Sequence, residues 1–314
     1  MNILILSHKP PYPIVDGGCH AMDRFLRDAL RAFPEANFNY LSIATQKHDF
    51  DENEIPEELK KRATFYHVKI STKLNPISAL VQVFKNRSYH MSRFKQSAIL
   101  NKLQSITGEK KIDLVFFESL FCSAYSKEIK LQTSASQILR AHNVEHLIWS
   151  KLATNTKNPL KKWYLNHVSK TLKTFETRFV KEVDFIFSIA QADQEFFKSL
   201  NHNTSYLPVS MEVTSAREII SDSICFLGAY NWMPNKEGIL WFTNEVWPEI
   251  VLNNPATTLN IAGSFSEEIS ELKNKDSIKL HGFVPSSEAF IKAHGLFVAP
   301  ILSGSGVKMK VLEA

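Results

Sequence analysis

The sequence has no uninterrupted apolar run of the roughly 18 residues that a transmembrane helix needs, so the chain is expected to be soluble or to touch a membrane only from outside. Its opening, MNILILSHKPPYP, lacks the basic flank, long apolar core and small-residue cleavage site of a signal peptide, and reads as a first strand. Cysteine is scarce. Cys19, Cys122 and Cys225 stand about a hundred residues apart with no CxxC pair, which excludes a disulfide framework and points to a reducing cytoplasm. No G-x-G-x-x-G follows the first strand of either half, which disfavours a dinucleotide-dependent dehydrogenase. The two histidines of H-N-V-E-H, His142 and His146, lack the glutamate placement of H-E-x-x-H and have no third ligand in view, so no metal site is expected. There is no repeat, no low-complexity tract and no nucleic-acid motif to accompany the basic patches.

What is present is 314 residues, 44% apolar and 22% charged, which is ordinary globular composition and enough for two cores. Short β-branched or aromatic runs recur between helical stretches: residues 2–7, 38–44, 64–70, 112–118, 137–142, 184–190 and 205–207. Strand alternating with helix predicts a doubly wound parallel sheet, and the scarcity of polar interruptions predicts strands covered on both faces. The stretch 209–223 has little apolar periodicity, and a second series starts after it. That series has strands at 224–227, 258–262, 278–280 and 296–299, helices at 236–250, 267–272 and 286–294, and a further helix from Val307. The fold class is therefore α/β with two Rossmann-like domains, 1–208 and 209–314. The last helix stops without a cap, so the second domain is expected to be incomplete.

The net charge of +5 is concentrated. Residues 158–183 form the longest helical pattern, with Leu165, Val168, Leu172, Phe175 and Phe179 on one stripe and Lys161, Lys162, Lys170, Lys173 and Lys181 elsewhere. This reads as a core-facing helix with a solvated basic face. Residues 75–111, where Lys85, Arg87, Arg93 and Lys95 lie among Leu80, Val81, Val83, Phe84 and Phe94, are the better candidate for peripheral contact with a membrane surface.

Three segments fall where strands end, which is where open α/β sheets bind ligands. The first is the loop from Ser7 to Gly17 and Gly18, running into a helix predicted to begin near Ala21. Its paired glycines let backbone N–H groups approach an anion, although a plain flexible turn is the alternative. The second is Arg140 to His146. Here His142 at a strand end could bond a sugar hydroxyl or tune a reacting group, or could be a satisfied structural histidine. The third runs from Pro300 to Ala314, where a small-residue loop enters a helix with Lys308 and Lys310 in its first turn. Lysines there oppose the helix dipole unless an anion sits at that end. Glu313 lies two turns on and could accept from ribose hydroxyls.

Taken in this order, the glycine-pair loop, the H-N-V-E stretch and the run from F-L-G through H-G-F-V to A-P-I-L-S-G-S-G-V-K-M-K-V-L-E-A resemble glycosyltransferase family 4 (group 1). The last run is similar to the bacterial branch with G-S-G-x-x-x-K-x-x-E-A. The resemblance covers essentially the whole chain and implies the GT-B fold, two Rossmann-like domains facing across a cleft. It implies a cytoplasmic retaining glycosyltransferase that needs no metal and no cofactor. Such an enzyme would take a UDP- or GDP-sugar as donor and a glycan or lipid-linked acceptor, without nucleic acid, and would be a candidate for peripheral contact at the inner membrane face. Carried over, His142 would contact the donor hexose and Gly17 and Gly18 the donor phosphate. Gly304, Ser305, Gly306, Lys308 and Lys310 would hold the diphosphate, Glu313 the ribose, and Phe283 and Val284 would lie near the base. Of the family's two glutamates only Glu313 is kept, with Ser305 at the position of the first. A catalytically inactive nucleotide-sugar-binding homologue and a GT-B epimerase are the competing readings.

Overall fold

The computed structural model describes residues 1–73, 75–211, 223–273, 275–302 and 307–314. The chain divides into two compact units, Met1–Ser210 and a second that begins at Met211 and carries every element from Ile224 onward.

The first unit holds strands β1 (Asn2–Ser7), β2 (Asn37–Ala44), β3 (Ala63–Lys69), β4 (Leu114–Glu118), β5 (Ser136–Ala141), β6 (Phe185–Ser188) and β7 (Thr204–Tyr206). Between them run helices α1 (Gly17–Ala32), α2 (Glu57–Lys60), α3 (Pro76–Phe84), α4 (Tyr89–Phe94), α5 (Ser97–Glu109), α6 (Ser126–Gln132), α7 (Glu145–Thr154), α8 (Pro159–Glu182) and α9 (Gln191–Leu200). The strands form one parallel seven-stranded sheet in the order β3-β2-β1-β4-β5-β6-β7. The order reverses between β1 and β4, so that the loops after these two strands diverge and leave a crevice at their carboxyl ends.

Alternation along β1 explains its wholly apolar sequence. Ile3 and Ile5 pack into the cluster with Phe25, Leu26 and Leu30 of α1, whereas Leu4 and Leu6 face Val115, Phe117, Leu172 and Phe179 on the other side. Burying each such side chain contributes about 1.5–3 kcal/mol, and a strand covered on both faces gains this at every position. Helix α8 follows its predicted stripe, with Leu165, Val168, Leu172 and Phe179 buried and the five lysines exposed. Asn158 accepts from the Lys161 amide at 3.0 Å and Pro159 fills the first turn, which together set where the helix begins.

The second unit holds β8 (Ile224–Leu227), β9 (Leu259–Ala262), β10 (Ile278–Gly282) and β11 (Leu296–Phe297), parallel in the order β10-β9-β8-β11. Its helices are α10 (Met233–Trp241), α11 (Trp247–Asn253), α12 (Ser287–Lys292) and α13 (Met309–Glu313). The single helix expected over 236–250 is instead α10 and α11 joined by a π-helical turn, Phe242–Val246. Pro248 has no N–H to give, and the Trp247 amide reaches back five residues to the Phe242 carbonyl. Two glycines are fixed by crowding. A Cβ on Gly263, whose φ is +139°, would lie 1.8 Å from the Gly228 carbonyl oxygen, and one on Gly238 would lie 1.7 Å from that of Pro300. Among the described residues no helix is long and apolar enough to cross a membrane.

Candidate functional site

Strand register brings the chemistry of the first unit together. Ser7 of β1 pairs with Glu118 of β4, and Glu118 with Arg140 of β5, so three adjacent strands end at one level of the crevice. His142 lies two residues beyond Arg140, which by strand alternation returns it to the same face.

Glu118 is the centre of this group and is fully buried. Its Oε2 lies 2.9 Å from the Arg140 guanidinium and 2.8 Å from His142 Nε2, and its backbone carbonyl lies 3.0 Å from His8 Nδ1. Burial alone would raise the Glu118 pKa, but Arg140 and His142 outweigh it and hold the carboxyl below its ordinary value. Arg140 is also buried. It donates to the Ala21 carbonyl at 3.2 Å and lies 4.7 Å from the centre of the Phe25 ring. His142 is pulled below its ordinary pKa by burial, against the opposing pull of Glu118, so at neutral pH its imidazole is uncharged. The Arg140 nitrogen 3.2 Å from the same Nε2 is also a donor, so the proton on Nε2 is assigned by the shorter contact to the carboxylate. The Nδ1 atom then carries the lone pair, the form that accepts from a hydroxyl or takes its proton. His8, edge-on to His142 at 6.3 Å between ring centres, is pulled down to about 3 by burial and then by Lys9 and His142, and is likewise neutral.

The glycine pair takes a different place from the loop expected for it. Helix α1 begins at Gly17 rather than near Ala21, because Asp16 caps it, accepting from the Gly18 and Cys19 amides at 2.9 and 3.0 Å. The same carboxylate lies 2.6 Å from Lys9 Nζ and 3.1 Å from His48 Nε2. Burial opposes its ionisation, but His48 and Lys9 hold its pKa well below the usual carboxylate range. Gly18 makes room for this arrangement, since a Cβ there would lie 2.7 Å from Lys9 Nζ.

His146 is structural. Its Nδ1 lies 2.6 Å from buried Glu176 of α8, which also accepts from the Glu145 and His146 amides and so caps α7, whose own cap position, Val144, offers no side-chain acceptor. Glu145 beside it is buried, and burial, then the Glu176 charge, push its pKa up to about 8.

In the second unit Lys310 of α13 reaches the end of β8. Its Nζ donates to the Leu227 carbonyl at 3.0 Å and to Asn235 Oδ1 at 2.8 Å, and stands 4.3 Å from the centre of the Phe226 ring. Burial, then Lys308, pull its pKa down to about 7. Lys308 is the residue preceding α13. Phe283 is exposed, while Val284 packs against the cluster of Cys225, Ala262 and Phe290. Gly304, Ser305 and Gly306 lie outside the described residues, as does the side chain of Glu313. Within the first unit the structure thus joins His142 to Glu118, Arg140 and His8, and ties Gly18 to Lys9, Asp16 and His48. The sequence reading gives Glu118 no role and Arg140 only a place at the start of the second segment. Their signal was a charge at the end of an otherwise apolar strand, in L-V-F-F-E and Q-I-L-R-A.

Two parallel sheets of this topology in one chain can be compared with known proteins. Anabaena HepE (Alr3699), solved with UDP and glucose, superposes with a TM-score of 0.58 at 12% identity, over 100% of this chain and 77% of that one. Sucrose-phosphate synthase from Thermosynechococcus elongatus gives 0.69 at 11% identity, over 100% and 78%. The fold is GT-B. Residues 221–314 match the family model of the group 1 glycosyl transferases. A Klebsiella pneumoniae relative described as an "uncharacterized 44.6 kDa protein in cps region" is 25% identical over 325 aligned residues, spanning 100% of this chain and 80% of its own. Open α/β sheets in general bind ligands beyond the carboxyl ends of their strands, which here are the ends of β1, β4 and β5 in one sheet and of β8 in the other. The Glu118–His142 group and the Lys310 group stand at these two edges.

Proposed function

We propose that the chain is a retaining, metal-independent glycosyltransferase that moves a hexose from a UDP- or GDP-sugar to a glycan or lipid-linked acceptor. Residues 1–208 would serve the acceptor and 209–314 the donor. The observation that carries this reading is the neutral His142 imidazole, anchored through Nε2 on Glu118 at the switch point of a GT-B sheet. An uncharged imidazole at that edge suits a sugar hydroxyl. The group 1 match over 221–314, the UDP and glucose bound by HepE, and the cps-region description of the Klebsiella relative all favour nucleotide-sugar chemistry in polysaccharide synthesis.

In this mechanism departure of the nucleoside diphosphate builds negative charge on phosphate oxygens. Lys308 and Lys310 offset it by charge, as the donors of an oxyanion hole do, and Gly304, Ser305 and Gly306 belong to the same donor-binding segment. Gly17 and Gly18 approach the donor phosphate, Glu313 holds the ribose, and Phe283 and Val284 lie near the base. An amine whose pKa is about 7 regains its charge when a diphosphate arrives, so donor binding near pH 7.5 takes up a proton. No covalent nucleophile is assigned, since the leaving diphosphate can itself take the acceptor proton.

The test pairs activity with stability. His142→Ala is expected to lower turnover on a UDP- or GDP-sugar about 100-fold. It should cost only about 1–2 kcal/mol of stability, because Glu118 keeps its partner Arg140. Wild-type activity should persist in EDTA. A fully active but destabilised His142→Ala protein would remove His142 from the reaction, and loss of activity in EDTA would overturn the metal-free mechanism.

A further inference from the structure

Two stretches of the sequence are basic without relief. Residues 59–108 carry ten Lys and Arg and no Asp or Glu, and residues 146–175 carry six Lys and no Asp or Glu. The net charge of the entire chain is only +5, so everything outside these stretches is net acidic. The fold brings the two together. α4 packs against α8, and Tyr164 in the second turn of α8 feels the neighbouring Tyr89 and Arg93 of α4.

At this meeting place apolar side chains point outward. In α3 Ile77, Leu80, Val81 and Phe84 follow helical spacing along one stripe, yet Ile77 is 76% exposed, Leu80 55% and Phe84 82%. No residue of α3 is buried. Polar contacts near its start hold the helix instead: Asn75 caps it through the Ser78 amide, the Asn75 amide donates to the Tyr89 hydroxyl, and Arg93 bonds the Thr72 carbonyl. The first turn of α8 repeats the pattern, with Leu160 79% and Trp163 60% exposed beside Lys161 and Lys162. Among the described residues no carboxylate pairs with Lys73, Lys85 or Arg87, which bracket α3.

We propose that α3 and the first turn of α8 form a docking surface for an anionic lipid bilayer, with Ile77, Leu80, Phe84, Leu160 and Trp163 entering the interface and Lys73, Lys85, Arg87, Lys161 and Lys162 meeting headgroups. Charge complementarity selects this occupant. An apolar stripe flanked by cations suits a surface that is apolar beneath and negative above, and tryptophan favours the boundary between the two. A second copy of the chain would set cation against cation. Because β3 runs parallel to β1 and β4, α3 is reached from the same carboxyl edge of the sheet at which Glu118 and His142 lie. A lipid-borne acceptor held at this surface would arrive near that edge.

The test is co-sedimentation of the full-length protein with vesicles of 30% phosphatidylglycerol in phosphatidylcholine, against phosphatidylcholine alone. Wild type is expected to bind the anionic vesicles at least tenfold more strongly and to be released by 0.5 M salt. The pair Lys85→Gln and Arg87→Gln should weaken binding about 30-fold, each cation contributing about fivefold. The pair Ile77→Ser and Phe84→Ser should weaken it at least tenfold, with unchanged thermal melting because both side chains are already exposed. No binding to anionic vesicles, or undiminished binding by either variant, overturns the proposal. A concentration-dependent dimer in sedimentation that Phe84→Ser dissolves, without vesicle binding, assigns the stripe to a second copy instead. Vesicle binding needs no sugar donor, so its outcome stands apart from that of the transferase assay.

Discussion

Replacing Glu118 by glutamine keeps the shape of the side chain and removes its charge, which isolates what the carboxylate does. Glu118 and Arg140 are 0% and 1% exposed, with oxygens 2.9 and 3.3 Å from the same guanidinium nitrogen. At an effective dielectric constant of about 20, unit charges roughly 3.3 Å apart attract by about 5 kcal/mol. Removing one partner of a buried pair costs about 3–5 kcal/mol, because the other charge is left without compensation. The glutamine amide also has to present N–H donors where Arg140 and His142 both donate, so one bond is lost with the charge. Glu118→Gln is therefore expected to lose about 3–5 kcal/mol in urea denaturation followed by circular dichroism, a large share of the 5–15 kcal/mol typical of a domain. Adding Arg140→Met should restore most of it, since no buried charge then remains. A loss below about 1 kcal/mol in the single variant, or none recovered in the double, would refute the account of Glu118 as the counter-ion that organises this edge.

The remaining predictions concern the neighbouring helix ends. Glu145 has a folded-state pKa of about 8 against an ordinary 4.5, so the folded protein keeps a proton that the unfolded chain releases between those values. Its contribution is fully present below about pH 4.5 and is lost as pH rises to 8, by up to about 4 kcal/mol. Glu145→Gln should flatten that slope and be the more stable protein at pH 8 in urea melts at pH 5, 6.5 and 8, and parallel pH profiles would contradict this. Gly18→Ala should cost about 1–2 kcal/mol by displacing the Lys9 amine from Asp16, and the penalty should vanish or reverse in a Lys9→Ala background, where alanine's better helix propensity is felt. An equal penalty in both backgrounds would mean that Lys9 is not what crowds that position.

The sheet-forming strands were legible because strands covered on both faces leave unbroken apolar runs, as in N-I-L-I-L-S, which matches β1 residue for residue. Boundaries blurred where local signals competed. Gly17 and Gly18 read as a turn, while Asp16 just before them was an equally local cap signal that fixes the helix four residues earlier. His142 was found from its place at a strand end, but its anchor was not. Glu118 and Arg140 are 22 residues apart and meet only through the β4–β5 register, a relation that periodicity along one segment does not contain. Lys310 is legible as a cation at a helix start, but its bonds to Leu227 and Asn235 are not, since they join residues 83 and 75 positions apart in the chain.

That long-range bond also bears on how the second unit holds together. The Lys310 amine acts as a clasp between α13 and β8, with Asn235 at the start of α10 as the third point of attachment. A change at Lys310 is therefore felt at the carboxyl end of β8 and at the entry to α10 together.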